Sequence, residues 1–181
     1  PAQELANKRS GRWKAHNLIE EITLPGEYAI DIENMMLYYY PQGSLSGADI
    51  ELSSSKGAMI HLDNAKNIIF DSITFTQTRN DAVSMTDVSD IKIVNCTFED
   101  IASVAVGGSG SRYADSGDTS WQAQRVDGLY DVIIKGNNFE NIGQTAVQVS
   151  GSGNIDTLTD SGVVIEDNFI HNTSNKSFWD N

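Results

Sequence analysis

Apolar residues recur at alternate aligned positions in four short stretches, Ile68-Ile69-Phe70, Ile91-Lys92-Ile93, Val132-Ile133-Ile134 and Val163-Val164-Ile165, of which the second has a polar residue between them. Alternation at period two predicts a strand with one buried face. The surrounding segments "NIIFDSITF", "DIKIVNCTF", "DVIIKGNNF" and "GVVIEDNFI" start at residues 67, 90, 131 and 162. The shortest offset is 23 residues; the other two, 41 and 31, exceed it by 18 and 8. Each stretch is followed by a second apolar pulse, placing Phe75, Phe98, Phe139 and Ile170 in one column. Each is preceded by another short strand, which aligns Ile60, Val83, Val106 and Val147. Leu62, Met85 and Val149 align two residues later, with Gly108 as the exception.

Each unit therefore reads as three short strands joined by polar corners, with no helix or hairpin between them. Strands in so short a unit cannot close a globule, but they can form one coil of a solenoid whose neighbours bury its apolar face. The predicted fold is all-β: a right-handed parallel β-helix with a basic coil of about 23 residues. Its coils stack at about 4.8 Å and its hand follows that of parallel crossovers in general. Asn137 and Asn168 fall in a column with Cys96 and Ile73. The two amides are expected to stack at a corner, to adopt unusual backbone angles there and to bond each other.

Residues 1–56 lack the coil pattern, so the expected division is 1–56 and a solenoid over 57–181. Within the first part, strands are expected over Glu27–Ile32 and Leu37–Tyr40, around a turn near Glu33-Asn34. Pro25-Gly26 and Pro41 punctuate the ends. Tyr38, Tyr39 and Tyr40 cannot all face inward on a strand. The hairpin is expected to cap the tube and protect its edge, or else to offer an aromatic platform for sugar rings. The basic stretch 6–14 reads as a solvated linker. Residues 171–181 start a new coil and stop, which reads as a fragment of a longer β-helix or as a tail folding back with Phe178 and Trp179 as a plug. The start at Pro1, without Met, reads as a processed or excised chain.

Composition narrows the field. A length of 181 residues suits one domain, and 39% hydrophobic content suits a thin tube with much polar surface. With 12 basic against 25 acidic residues the net charge is −13. That argues against nucleic acid, which needs a basic face, and weakly against a highly acidic polysaccharide. Cys96, the one cysteine, sits in a core column and reads as a small buried hydrophobe. There is no disulfide framework, no zinc-ligand spacing and no indicated cofactor. No apolar run approaches the roughly 20 residues of a membrane-spanning helix.

The segments "LIEEITLPGEYAIDIENMMLYYYP" (18–41), "KNIIFDSITFTQTRNDAVSM" (66–85) and "NFIHN" (168–172) resemble the right-handed parallel β-helix proteins grouped with bacterial glycoside hydrolases, the fucosidase-like and xylosidase-like enzymes. Their lead-in reads like Pro-Gly-Glu-Trp-Tyr-Leu-Asp, with a turn and Leu-Tyr-Tyr-Tyr-Pro. Pro25, Gly26, Glu27, Asp31, Leu37, Tyr38, Tyr39, Tyr40 and Pro41 match, whereas Tyr28 and Ala29 depart from the aromatic pair and Ile32 replaces a usual Arg. The resemblance spans roughly 18–172. It implies a carbohydrate-active protein, as part of a glycoside hydrolase acting on plant or microbial polysaccharide outside the cell or in the periplasm. It also implies further coils or domains of a longer parent chain.

By the same resemblance, the long parallel face that begins each coil is the substrate groove. Its outward residues are His61, Ser84, Gly107 and Gln148, preceded by Arg79, Asn80 and Asp81. Two insertions, near 109–127 and 151–160, follow this strand and are expected to rim the groove from one side. "RNDAVSM" (79–85) resembles the Asp-bearing approach to this strand in β-helix polysaccharide hydrolases, which makes Asp81 the candidate acid. The alternative is a turn residue capping a corner. Glycoside hydrolysis needs two carboxyls, roughly 5 to 9.5 Å apart. The residues equivalent to Asp81 in adjacent coils are Ala58 and Val104, so a partner must come from Asp115, Asp118, Asp127 or Asp156 or from a missing coil. Ser84, Gln148, Asp118 and Trp121 are the candidate substrate-binding residues, Trp121 either stacking on a sugar or pinning its loop. His61 and Arg79 together suggest a lyase, a base beside a cation that neutralises a uronate carboxylate. His16 and His171 offer no constellation, and "DSGD" (115–118) is too short for a calcium loop. A non-catalytic carbohydrate-binding or surface-adhesion module stands as the alternative from another class. A second carboxyl within reach of Asp81 separates a hydrolase from such a module.

Overall fold

The structure, a computed structural model, describes residues 17–109, 128–152 and 158–174. The stretch 6–14, residues 110–127 of the first insertion with Asp118 and Trp121, residues 153–157 of the second, and residues 175–181 of the tail lie outside the described residues. Chain contacts divide the protein into two units, one through Leu52 and one from Ser53 onward.

Among its described residues the first unit holds one 3-10 turn, Ile19–Glu21, and an antiparallel hairpin of β1 (Tyr28–Asp31) and β2 (Met36–Tyr39). The turn forms where expected. Asp31 accepts from the backbone N–H of Asn34 at 3.0 Å and from its side-chain amide at 2.7 Å, while Met35 takes a positive φ of 54°. Glu27 closes the other end, its carboxylate accepting the N–H groups of Leu24 at 2.7 Å and Thr23 at 2.8 Å. Asn17 lies beside β1 like a strand residue, giving its side-chain N–H to the Ile30 carbonyl and accepting the Ile30 N–H. Tyr38, Tyr39 and Tyr40 are all exposed.

The second unit is built from strands that recur in threes. β3 (Ile60–Asp63), β4 (Lys66–Asp71) and β5 (Thr74–Thr78) are followed by β6 (Val83–Thr86), β7 (Ser89–Val94) and β8 (Thr97–Ile101). Then come β9 (Val106–Ser109), β10 (Tyr130–Lys135), β11 (Asn138–Ile142), β12 (Val147–Val149), β13 (Val164–Glu166) and β14 (Phe169–Thr173). They sort into three four-stranded parallel sheets, β3-β6-β9-β12, β4-β7-β10-β13 and β5-β8-β11-β14. Each sheet takes every third strand, the topology that fits a parallel β-helix. The pairs Ile68↔Ile91, Ile91↔Val132 and Ile134↔Ile165 keep the columns read from the sequence, across offsets of 23, 41 and 31 residues.

The corners explain how so short a strand can end without a hairpin. Left-handed backbone recurs in register: at corners in Asn64 and Asp87 and in Ser72, Asn95, Gly136 and Asp167, and near strand ends in Asn67, Asp90 and Asp131, with Gly162, and in Gln77, Asp100, Asn141 and Asn172. Asn, Asp and Gly dominate because they pay least for positive φ. The unusual angles therefore sit one residue before the stacked asparagines, and not on Asn137 and Asn168 as the sequence suggested. The amides themselves do bond. Asn137 Oδ1 accepts the Cys96 N–H at 2.8 Å, and Asn168 Oδ1 accepts the Asn137 N–H at 2.9 Å. Each side-chain N–H in turn reaches an earlier coil, Asn137 to the Ile93 carbonyl and Asn168 to that of Ile134.

Inside, Phe75, Phe98 and Phe139 stack with centroids 4.9 and 4.8 Å apart and planes 8° from parallel. That spacing is the strand repeat itself. Gly108 breaks its apolar column for a steric reason: a Cβ there would stand 2.8 Å from Leu129 Cδ2 and 3.2 Å from Met85 Cβ. Leu129 fills that place and is fully buried. Cys96 is buried too, its thiol directed to the carbonyls of Val94 and Phe70, as a small core residue should be.

Phe98 lies between two aromatic neighbours and has no exposed surface. Phe98→Ala is expected to lower unfolding free energy by about 3–5 kcal/mol in denaturant titration; a loss under about 1 kcal/mol would contradict the stack. In the first unit, the N–H groups of Leu24 and, next, Thr23 hold the Glu27 carboxyl below its ordinary 4.5. A depressed carboxyl lends stability above its unfolded value and loses it as pH falls through the folded one. In an NMR titration the Leu24 and Thr23 amide shifts should therefore follow Glu27 with a midpoint below 4.5; a midpoint at or above it would show that the cap is not formed.

Candidate functional site

The sheet of β3, β6, β9 and β12 places one outward residue from each coil in a row. The registers His61↔Ser84, Ser84↔Gly107 and Gly107↔Gln148 make that row continuous. The flanking apolar residues Leu62, Val83, Met85 and Val106 point inward and are buried, which fixes the outward set by alternation. His61 and Gln148 are exposed and Ser84 is half-buried. Two residues further along, Asp63, Thr86 and Ser109 form a second outward row on the same face.

The corner leading into β6 is pinned. The Arg79 N–H donates to Ser53 Oγ at 3.3 Å, the Asn80 N–H to Thr78 Oγ1 at 3.2 Å, and the Asn80 side-chain amide to the Ser55 carbonyl at 2.9 Å. Asp81 is half-buried. Its Oδ1 accepts the Val104 N–H from the next coil at 3.0 Å, and its carbonyl accepts the Met59 N–H from the preceding one. Its Oδ2 faces Gly107, 3.9 Å from where a Cβ on that residue would stand. Asp81 thus caps a corner with one oxygen and presents the other to the row.

The candidates divide accordingly. The fold brings Asp81, Ser84, Gly107, Gln148 and His61 to one face. Arg79 is exposed and forms no ion pair with Asp81. Coils on either side place Ala58 and Val104 beside Asp81, so the described residues supply no second carboxyl in its column. Asp118 and Trp121, with Asp115, Asp127 and Asp156, lie outside the described residues. Among the described residues no group of three or more His, Cys, Asp or Glu side chains could hold a metal ion, and no helix is long and apolar enough to cross a membrane.

One row escaped the sequence reading. On the outer face of the third sheet, Thr76, Glu99, Glu140 and His171 are in register, and His171 Nε2 lies 3.5 Å from Glu140 Oε2. The signal was available: these residues directly follow the aligned Phe75, Phe98, Phe139 and Ile170. The shortest ion pair among the described residues is elsewhere, Lys135 Nζ to Glu166 Oε1 at 2.7 Å. That bond, with the Glu166 charge, holds the Lys135 ammonium above its ordinary value. A concavity in the first unit, lined by Leu18, Glu21, Ile22, Glu27 and Tyr28, contains none of the sequence candidates. The Glu27 carboxylate there is already committed to two backbone amides.

No family model matches the chain, and neither the comparison with curated proteins nor that with solved structures finds a match.

The two oxygens of Asp81 separate its structural role from any chemical one. Asp81→Asn keeps an oxygen for the Val104 N–H. It should melt within a degree or two of the parent protein, since surface changes that keep their bonds are near neutral. Asp81→Ala leaves that N–H without its acceptor and should cost about 1–3 kcal/mol. Equal stability of the alanine variant and the parent in thermal melts would show that the cap contributes nothing.

Proposed function

We propose that the second unit is a right-handed parallel β-helix of the fucosidase-like and xylosidase-like type, and that the sheet of β3, β6, β9 and β12 binds an oligo- or polysaccharide. The observation that carries this reading is the in-register outward row His61, Ser84, Gly107 and Gln148, with the second oxygen of Asp81 beside it. Hydroxyl, amide and carboxylate groups repeated at strand spacing suit the hydroxyls of a chain of sugar rings. The resemblance of residues 18–172 to the hydrolase group points to the same ligand class and to a location outside the cytoplasm.

Binding is the best-supported activity, because Asp81 stands without a second carboxyl in its column and half of its own carboxylate is spent on the Val104 N–H. Hydrolysis is the second reading, favoured by the oxygen of Asp81 that faces the row. It needs a second acid from Asp115, Asp118, Asp127 or Asp156. The lyase reading would use His61 as base and Arg79 as cation; the Arg79 backbone is held by Ser53, and no hydrogen bond or ion pair among the described residues joins the two side chains.

Calorimetry of the parent protein against a panel of neutral and uronate oligosaccharides, with product analysis, tests this directly. Binding without turnover supports the module. Binding with reducing-end release that falls about 100-fold or more in Asp81→Asn supports hydrolysis with Asp81 as acid or base. Release of an unsaturated uronate product would move the assignment to a lyase. Failure to bind any saccharide of the panel overturns the carbohydrate reading.

A further inference from the structure

β9 carries two adjacent glycines, and only one of them is explained by the fold. Glycine in a strand interior is unfavourable by roughly 0.5–1 kcal/mol relative to alanine, so each calls for a reason. Gly108 faces inward, where a side chain would collide with Leu129 and Met85. Gly107 faces outward. Its φ is not positive, and a Cβ would meet Val104 Cγ1 at 3.6 Å and Asp81 Oδ2 and the Val83 carbonyl oxygen at 3.9 Å, all ordinary van der Waals distances. Among the described residues, neither backbone conformation nor packing requires a glycine here. Its row neighbours His61, Ser84 and Gln148 all carry side chains.

The missing side chain leaves a gap in the row. Ser84 stands on one side and Gln148 on the other, each one strand away, so they flank a strip of bare backbone about 9.6 Å across. Asp81 Oδ2 borders that strip. A strand glycine with room above it marks a place where a ligand can approach the backbone closely. Only one ring fits such a gap. The groups that would meet it are a hydroxyl, a primary amide and a carboxylate oxygen, which together donate to and accept from ring hydroxyls. A carboxylated ring would instead meet Asp81 on a chain of net charge −13, with no Lys or Arg in the row itself.

Resting on the carbohydrate reading above, we infer that Gly107 is the floor of a subsite for one uncharged sugar ring, walled by Ser84 and Gln148 and bordered by Asp81, and that its lack of a side chain determines what binds there. Alanine should narrow the gap and leucine should close it, neither disturbing the coil.

The test is an ¹⁵N NMR titration of the full chain with cellohexaose, xylohexaose and mannohexaose, and with trigalacturonate, for the parent protein, Gly107→Ala, Gly107→Leu and the second-sheet control Lys92→Ala. At least one neutral hexasaccharide should shift the Gly107, Ser84 and Gln148 amides. Affinity should fall a few-fold in the alanine variant and tenfold or more in the leucine variant, with melting temperatures no lower than the parent's and with Lys92→Ala unchanged. If the leucine variant does not fold, the alanine variant decides by the same few-fold criterion. Parent binding that the Gly107 substitutions leave unaltered overturns the subsite while leaving the carbohydrate reading standing. Tighter binding of trigalacturonate than of every neutral chain overturns the uncharged-ring assignment. A parent protein that binds none of the four removes both.

Discussion

Hydrogen bonding between successive coils is the constraint on which everything else in the second unit rests. None of its described strands has a hairpin partner; each finds its N–H and C=O partners one coil away. The bonds Met59 N to Asp81 O, Ala82 N to Val104 O and Ala105 N to Thr145 O carry this exchange along one corner. Asn137 carries it through the interior. It is 2% exposed, and its side chain joins three coils, accepting from Cys96 and donating to Ile93 and toward Asn168. A buried amide is costly unless all its bonds are made, so this residue tolerates one register only. Once the register is set, like residues must stack, and the phenylalanine column is a consequence rather than a separate device.

The same constraint positions the candidate site. Coils that differ in length by 18 and 8 residues still pair without slipping, because the extra residues leave between strands and the ladders resume beyond them. The outward row on the first sheet is therefore set by the inward packing of Leu62, Val83, Met85 and Val106. A slip of one residue would exchange His61 and Ser84 for core residues. Asp81 takes part in both roles, closing the corner with one oxygen and leaving the other on the row.

Much of this was legible in the sequence because core columns repeat. Ile68, Ile91, Val132 and Val163, or Phe75, Phe98 and Phe139, announce themselves by position and by type, and the hairpin around Asn34 by its turn residues. What escaped had no such signature. The left-handed positions use Asn, Asp, Ser, Gln and Gly interchangeably, so their columns are defined by backbone shape, and the sequence reading assigned the one beside Asn137 and Asn168 one residue late. Gly108 looked like a broken column because the residue filling its place, Leu129, comes from beyond the long insertion. The Glu99, Glu140 and His171 row is outward and bound by no packing rule, so nothing but register brings it together. The partners Asp81 would need for hydrolysis were sought in insertions whose sequence carries no repeat at all.

The central claim is that the coils stack in this register, and the side-chain amide protons of Asn137 report on it most directly. They are buried and bonded to the Ile93 carbonyl and to Asn168 Oδ1, across offsets of 44 and 31 residues. Measured by hydrogen exchange, they should be protected to an extent approaching that of the core backbone amides, opening only with sub-global unfolding. Exchange of both protons at the rate of an exposed asparagine side chain, in a protein whose core backbone amides are protected, would contradict the register and the site built on it.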